Sequence, residues 1–169
     1  VITAGFKETG KEGAELEKAL LSKVQEYGMR CVGPNCLGVV NTLPEISMDG
    51  CFAESLPARG HIGFVSQSGA LGGGILNILK DLNLGFAQFI SIGNQADVNA
   101  ETAMEYWENE ADVEQILLYM ESIQNPANFR KLASRISKKK PILALKAGRS
   151  AAGASAASSH TGSLAGATT

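Results

Sequence analysis

The histidine at position 160 has the most unusual surroundings of any side chain that could do chemistry. It lies in residues 148–166, which are mainly Ala, Ser and Gly, with Leu164 as the one core-sized residue. A segment of small residues this long is unusual unless it is functional or disordered. Histidine can form a covalent intermediate as a nucleophile. His160 is therefore either a solvated loop residue or a nucleophile on a mobile arm.

A second candidate is the run Ser66-Gln67-Ser68-Gly69, which follows an apolar stretch and precedes helical spacing. A helix that begins here directs unpaired N–H groups and the positive end of its dipole at the turn, and the hydroxyls add donors. The same pattern is typical of an N-cap serine with a glycine turn and no ligand. If the turn binds an oxyanion, we expect it at Ser66, Ser68 and the N–H groups of Gly69 and Ala70.

Two further polar residues allow a structural and a functional interpretation. Glu121 ends an apolar run, so its carboxylate either faces solvent or orients a group at the sheet edge. Cys36 follows Gly33-Pro34-Asn35 and is either a reactive thiol or a small buried hydrophobic residue.

Alternating strands and helices must position these residues. Apolar runs predict strands at 61–65, 86–92, 115–120 and 141–145, and Val1–Gly5 resembles a strand entering a glycine turn. Helical spacing is present between Gly10 and Tyr27, and Asn125 with Pro126 is typical of a helix start. In the helix after Ser66-Gln67-Ser68-Gly69, apolar spacing predicts one apolar face formed by Leu71, Ile75, Ile78, Leu79 and Leu82. This order predicts an α/β fold, a parallel sheet with helices on both faces, and ligands gather at the carboxyl ends of such strands.

Composition narrows the class of protein. The chain has 169 residues, 44% of them hydrophobic, and a net charge of −2. This composition predicts neither disorder nor a membrane span. A nucleic-acid partner is not expected either, because the short basic run Lys138–Lys140 resembles a solvated helix end. The three cysteines, Cys31, Cys36 and Cys51, favour neither a disulfide framework nor a metal site, which predicts a reduced, cytoplasmic protein. Both ends lack a closing element, so we expect a piece of a longer polypeptide.

Several strings of residues together resemble one family, the NDP-forming acyl-CoA synthetases. This group contains the ADP-forming acetyl-CoA synthetases and is related to the succinyl-CoA synthetase α subunit. The resemblance extends over essentially the whole chain. The strings occur in this order: GPNCLG at 33–38, GFVSQSGAL at 63–71, SIGNQADV at 91–98, LYMES at 118–122, KAGRS at 146–150 and SHTGSLAG at 159–166.

The resemblance implies a role for each candidate. His160 matches the family's phosphohistidine, and Glu121 matches the glutamate that orients it. The helix that opens at Ser66-Gln67-Ser68-Gly69 matches the "power helix" that holds phosphate. The CoA-binding positions implied by the resemblance are Thr3, Ala4, Gly5, Asn35 and Cys36.

The resemblance also implies a division into domains. Residues 1–43 match the C-terminal part of a Rossmann-like CoA-binding domain, and 44–59 are expected to be a linker. Residues 60–169 match the flavodoxin-like ligase domain, incomplete at its C-terminus.

The family reaction is acyl-CoA + ADP + phosphate ⇌ carboxylic acid + CoA + ATP. Phosphate attacks the thioester to give an acyl phosphate, and His160 would take the phosphoryl group and deliver it to ADP. The nucleotide and Mg would lie in a separate ATP-grasp domain or β subunit. The implied partners are CoA, a small carboxylic acid and that domain or subunit, within a homo- or hetero-oligomer.

Two departures from the succinyl enzymes affect the substrate. Gly72-Gly73-Gly74 stands where those enzymes carry a tyrosine that contacts the dicarboxylate, and Ala4 replaces a glutamate. A monocarboxylic acid is therefore favoured. Two other functions stay open: a CoA-sensing regulatory domain of an acetyltransferase fusion, from which the histidine is lost in some relatives, and a plain flavodoxin-like interaction domain.

Overall fold

A computed structural model describes residues 1–53 and 56–148 of the protein. No helix in these two ranges is long and apolar enough to cross a membrane. After a short 3₁₀ turn at Lys7–Thr9, the elements are α1 (Lys11–Glu26), β1 (Gly38–Asn41), β2 (Met48–Cys51), β3 (Arg59–Ser66), α2 (Gly69–Asp81), β4 (Phe86–Ser91), α3 (Ala100–Trp107), β5 (Gln115–Met120), α4 (Pro126–Ile136) and β6 (Ile142–Lys146).

The six strands form one mixed sheet in the order β2-β1-β4-β3-β5-β6. Strands β4, β3, β5 and β6 are parallel, as the alternation of elements predicts. Strand β1 is antiparallel to both β2 and β4, which the sequence did not indicate. Ser66 pairs with Ser91 and Tyr119, so the carboxyl ends of β3, β4 and β5 lie side by side.

Helices cover both faces of the sheet, as expected, because successive strand residues point to opposite sides. Phe64 packs with Leu76 of α2 on one face. Val65, its neighbour in β3, packs on the other face with Trp107 of α3 and Leu132 of α4. All five of these side chains are buried.

The N-terminal region differs from the sequence-based expectation in two ways. Val1–Gly5 forms no strand in this structure. Strand β1 lies within the 1–43 segment and β2 within the expected 44–59 linker, yet both belong to the six-stranded sheet. These strands are only four residues long, and the pairing of β1 with β4 is non-local, so no periodicity marks them.

The predicted apolar face of α2 is correct for Ile75 and Leu79, which are partly buried and pack against the core, and wrong for its other three members. Leu71, Ile78 and Leu82 are exposed, whereas Leu76, which the prediction omitted, is fully buried. Gly72 explains the close approach, because a Cβ there would lie 3.0 Å from Phe89 Cζ and 3.1 Å from Ser66 Cβ. The helix therefore packs through its glycine side, which a count of large apolar residues does not detect.

The lysines that follow α4 interact with residues at and just after the end of α3. Glu108 accepts hydrogen bonds from Lys139 Nζ (2.8 Å) and Arg135 (2.7 Å). Lys140 Nζ donates to the backbone oxygens of Trp107 and Glu110, both at 2.5 Å. The expectation of a merely solvated helix end is wrong for Lys139 and Lys140, which join two helices.

Candidate functional site

The turn after β3 presents the N-terminus of α2 at the carboxyl edge of the sheet. Ser68 is the N-cap, and its Oγ accepts from Leu71 N at 3.4 Å. The N–H groups of Gly69 and Ala70 have no acceptor among the described residues. The first turn contains no acidic residue. An open helix N-terminus of this kind attracts anions.

Ser66 holds this turn rather than facing outward. Its side chain is fully buried, and its Oγ donates to Ser68 O at 2.6 Å. To contact an oxyanion, the Ser66 hydroxyl would have to release that carbonyl. The exposed donors of the expected phosphate site are therefore the Ser68 hydroxyl and the first backbone N–H groups of α2.

We predict that Gly69→Val weakens phosphate binding at this turn by at least about fivefold, because branched γ carbons would stand beside the helix N-terminus. A Cβ at Gly69 meets only Leu37, at 3.5 Å, so the fold should persist. The check is titration with inorganic phosphate, with Gly74→Val as the control because a Cβ at Gly74 meets nothing within 4 Å. Equal affinity of both variants and wild type would contradict a phosphate site here.

Glu121 follows β5 and lies beside this turn. Its backbone N–H donates to Gln67 Oε1 at 2.8 Å, and its backbone oxygen accepts from Lys146 Nζ at 2.7 Å. The residue is half-buried. Burial and then the Glu121 charge raise the pKa of the Tyr119 phenol. Three strand ends thus fix the Glu121 backbone at the edge where α2 begins.

The two segments implied in CoA binding lie against each other. Asn35 N donates to Thr3 O at 3.0 Å, and Gly5 N donates to Glu8 Oε1 at 2.6 Å. Thr3, Ala4, Gly5 and Asn35 are all exposed. They form one surface that a ligand can reach.

Cys36 has a buried side chain, whereas the adjacent Asn35 is exposed. Its Sγ lies 3.5 Å from Val1 O and 3.9 Å from Val32 O. Burial raises the pKa of the Cys36 thiol. These features favour the small buried hydrophobic residue over the reactive thiol.

Asn94 joins the N-terminal region to the end of β4, and sequence reasoning missed this role. Its Nδ2 donates to Glu8 Oε2 (2.5 Å) and to Glu17 Oε2 (2.9 Å). Lys7 Nζ donates to Asn94 O and lies 3.2 Å from Glu17 Oε1. The partners are about 80 residues away in sequence, so only the folded chain shows the cluster. Asn94 N also donates to Pro34 O at 2.9 Å, which ties the cluster to the Asn35 loop.

Asp97 makes a second connection between the residues after β4 and the N-terminal region. It accepts from Arg30 Nε (2.9 Å) and from Cys31 N (2.7 Å). Chiefly through the Arg30 hydrogen bond, the pKa of the Asp97 carboxyl is held below its ordinary value. A carboxylate with a lowered folded-state pKa stabilises the fold above its unfolded pKa of about 4, and this contribution is lost as pH falls through the folded value.

We therefore expect Asp97→Asn to be less stable than wild type at pH 7, with the difference shrinking below about pH 4. Urea midpoints at pH 7 and pH 3 measure this change. A difference of the same size at both pH values would show that the Asp97 charge is not the cause.

The structure thus brings together the α2 turn and Glu121, and separately the 3–5 segment and Asn35. His160 lies outside the described residues, so its distance from Glu121 is not part of this geometry. Within 1–53 and 56–148, no group of three or more His, Cys, Asp or Glu residues could hold a metal ion.

Comparisons with known proteins agree with the family resemblance. A profile of the succinyl-CoA ligase like flavodoxin domain matches residues 59–169. ADP-forming acetate–CoA ligase I of Archaeoglobus fulgidus is 45% identical over 98% of the chain. The alpha subunit of ADP-forming acetate–CoA ligase II of Pyrococcus furiosus is 46% identical over 98% of the chain. The chain spans 24% and 36% of the lengths of these two relatives.

Solved structures show the same fold. Dinucleotide-forming acetyl-coenzyme A synthetase 1 of Ca. Korarchaeum cryptofilum, in complex with phosphate and ADP, superposes with a TM-score of 0.85 at 38% identity. The match covers 99% of this chain and 36% of that one. Because the profile matches well over half of the sequence and the fold agrees, the chain belongs to the succinyl-CoA ligase like flavodoxin domain family.

Proposed function

We propose that the chain is part of an NDP-forming acyl-CoA synthetase, an acid–thiol ligase that interconverts acyl-CoA, ADP and phosphate with a carboxylic acid, CoA and ATP. One observation carries the proposal: the open N-terminus of α2 and Glu121 lie at one sheet edge and are joined through the Gln67 side chain. Relatives at 45–46% identity are ADP-forming acetate–CoA ligases, which supports the same reaction.

In this proposal the α2 turn binds phosphate through the Ser68 hydroxyl and the N–H groups of Gly69 and Ala70. The helix dipole adds partial positive charge where the phosphoryl oxygens would lie. Glu121 accepts a hydrogen bond from one ring nitrogen of His160 and leaves the other free to attack. A carboxylate partner fixes the tautomer and stabilises the imidazolium that forms.

CoA would contact the surface formed by Thr3, Ala4, Gly5 and Asn35, with the backbone near Cys36 at its thiol end. The acid is a monocarboxylate, since Gly72-Gly73-Gly74 offers no side chain for a second carboxylate. Nucleotide and Mg would bind an ATP-grasp domain or partner subunit, and one relative is itself an alpha subunit. The free cysteines accord with a cytoplasmic location.

The test is to incubate the full-length protein, together with its ATP-grasp part, with acetyl-CoA, ADP and phosphate. The proposal predicts formation of ATP, acetate and CoA in equal amounts, with dependence on phosphate. CoA binding without any turnover would contradict it and favour the CoA-sensing regulatory domain.

We predict that Glu121→Gln lowers turnover at least about tenfold, which corresponds to roughly 1.4 kcal/mol of transition-state stabilisation. The amide keeps the shape of the side chain but cannot stabilise a cationic imidazole. Glu114→Gln is the control, since Glu114 is an exposed residue just before the opposite end of β5. Equal turnover of both variants and wild type would refute the role of Glu121.

A further inference from the structure

Gln67 directs its whole side-chain amide at the residues after β5. Its Oε1 accepts from Glu121 N at 2.8 Å and from Ser122 N at 3.0 Å. Its Nε2 donates to Ser122 Oγ at 2.9 Å. The two backbone N–H groups require an oxygen acceptor, and the Ser122 hydroxyl accepts a hydrogen bond from the amide nitrogen. The orientation of the Gln67 amide is therefore determined.

The backbone of Gln67 is anchored as well. Gln67 N donates to Tyr119 O at 3.0 Å, which extends the β3–β5 ladder one step past Ser66. The next residue, Ser68, caps α2. Gln67 is therefore part of the turn that begins α2 and is joined to the Glu121 backbone by a hydrogen bond.

Glu121 is held at both of its backbone polar groups. Gln67 binds its N–H, and Lys146 Nζ binds its C=O at 2.7 Å. Gln95 Nε2 adds a longer contact to Ser122 Oγ, at 3.4 Å. Of these three anchors, Gln67 is the one that comes from the turn that begins α2, so it ties the Glu121 peptide to that turn.

On this basis we propose that Gln67 is a positioning residue: its amide holds the Glu121 carboxylate at a fixed place relative to the anion turn of α2. The inference rests on the proposed ligase function. Gln67 itself touches no reacting atom in this scheme, and it acts only through Glu121. A displaced carboxylate would orient the nucleophilic histidine less well, which costs rate even when the substrates still bind, because reaction depends on sub-ångström placement.

The experiment compares Gln67→Met with Gln115→Ala in the full-length protein, using acetyl-CoA, ADP and phosphate. Methionine keeps the volume of glutamine and removes the amide, while Gln115 is exposed at the far end of β5. We expect Gln67→Met to lower kcat about fivefold to tenfold, with less than a twofold change in the KM for acetyl-CoA. Gln115→Ala should match wild type.

A double-mutant cycle separates positioning from a general structural role. In a Glu121→Gln background, Gln67→Met should cost less than a further twofold in kcat, because the group it positions is already lost. Losses that multiply, or a Gln67→Met kcat equal to wild type, would overturn the proposal. Should Gln67→Met fail to fold, Gln67→Ala, which also removes the amide and leaves room for water at the two N–H groups, enters the same cycle with the same criterion. A wild-type protein that forms no ATP would contradict the proposed function instead.

Discussion

Replacing His160 by alanine should abolish the phosphoryl-enzyme and lower turnover of the full-length protein at least about a thousandfold, or roughly 4 kcal/mol. The reason is chemical: without a nucleophile the phosphoryl group has no covalent carrier between acyl phosphate and ADP. Labelled ATP should give wild type an acid-labile, base-stable label, the behaviour of a phosphoramidate. An acyl phosphate on Glu121 would instead be labile to base.

The sequence supplies a matched control, since it contains one other histidine. His61 is exposed at the amino-terminal side of β3, away from the turn that begins α2. His61→Ala should keep both label and turnover. A label that persists in His160→Ala would refute the assignment, and its loss in His61→Ala would move the acceptor to that residue.

Local signals in the sequence account for the elements that were predicted correctly. Asn125 and Pro126 mark the start of α4, where Asn125 Oδ1 accepts from Asn128 N at 3.1 Å. The apolar run at 115–120 coincides with β5. In both cases the determinants lie within a few residues of each other, so spacing alone reveals them.

Long-range determinants explain what was missed. The amide of Gln67 is defined by residues 54 and 55 positions away, and Asn94 by carboxylates 77 and 86 positions away. A glutamine in a serine-glycine turn has no local feature that separates it from a solvated residue. The open helix start was predictable because backbone geometry creates it, whereas the anchor of Glu121 required the three-dimensional fold.

The position most sensitive to a single added carbon among those tied to the Asn35 loop is Gly93. Its φ is +49°, and a Cβ there would lie 2.2 Å from Pro34 O and 2.3 Å from Asn35 O. Both obstacles are backbone atoms, which cannot rotate away. Accommodation would separate the loop from the end of β4 and break the bonds from Asn94 N to Pro34 O (2.9 Å) and from Ala96 N to Gly33 O (3.1 Å).

We therefore expect Gly93→Ala to lower the free energy of unfolding by about 2–4 kcal/mol, the sum of left-handed strain and overpacking. Gly28→Ala is the matched control, because its φ is +60° but nothing lies within 4 Å of the added carbon. That variant should lose only the conformational part, about 1 kcal/mol. Urea unfolding measures both. Equal stability of the two variants would show that close packing of residues 34 and 35 against Gly93 does not hold the Asn35 loop on the end of β4.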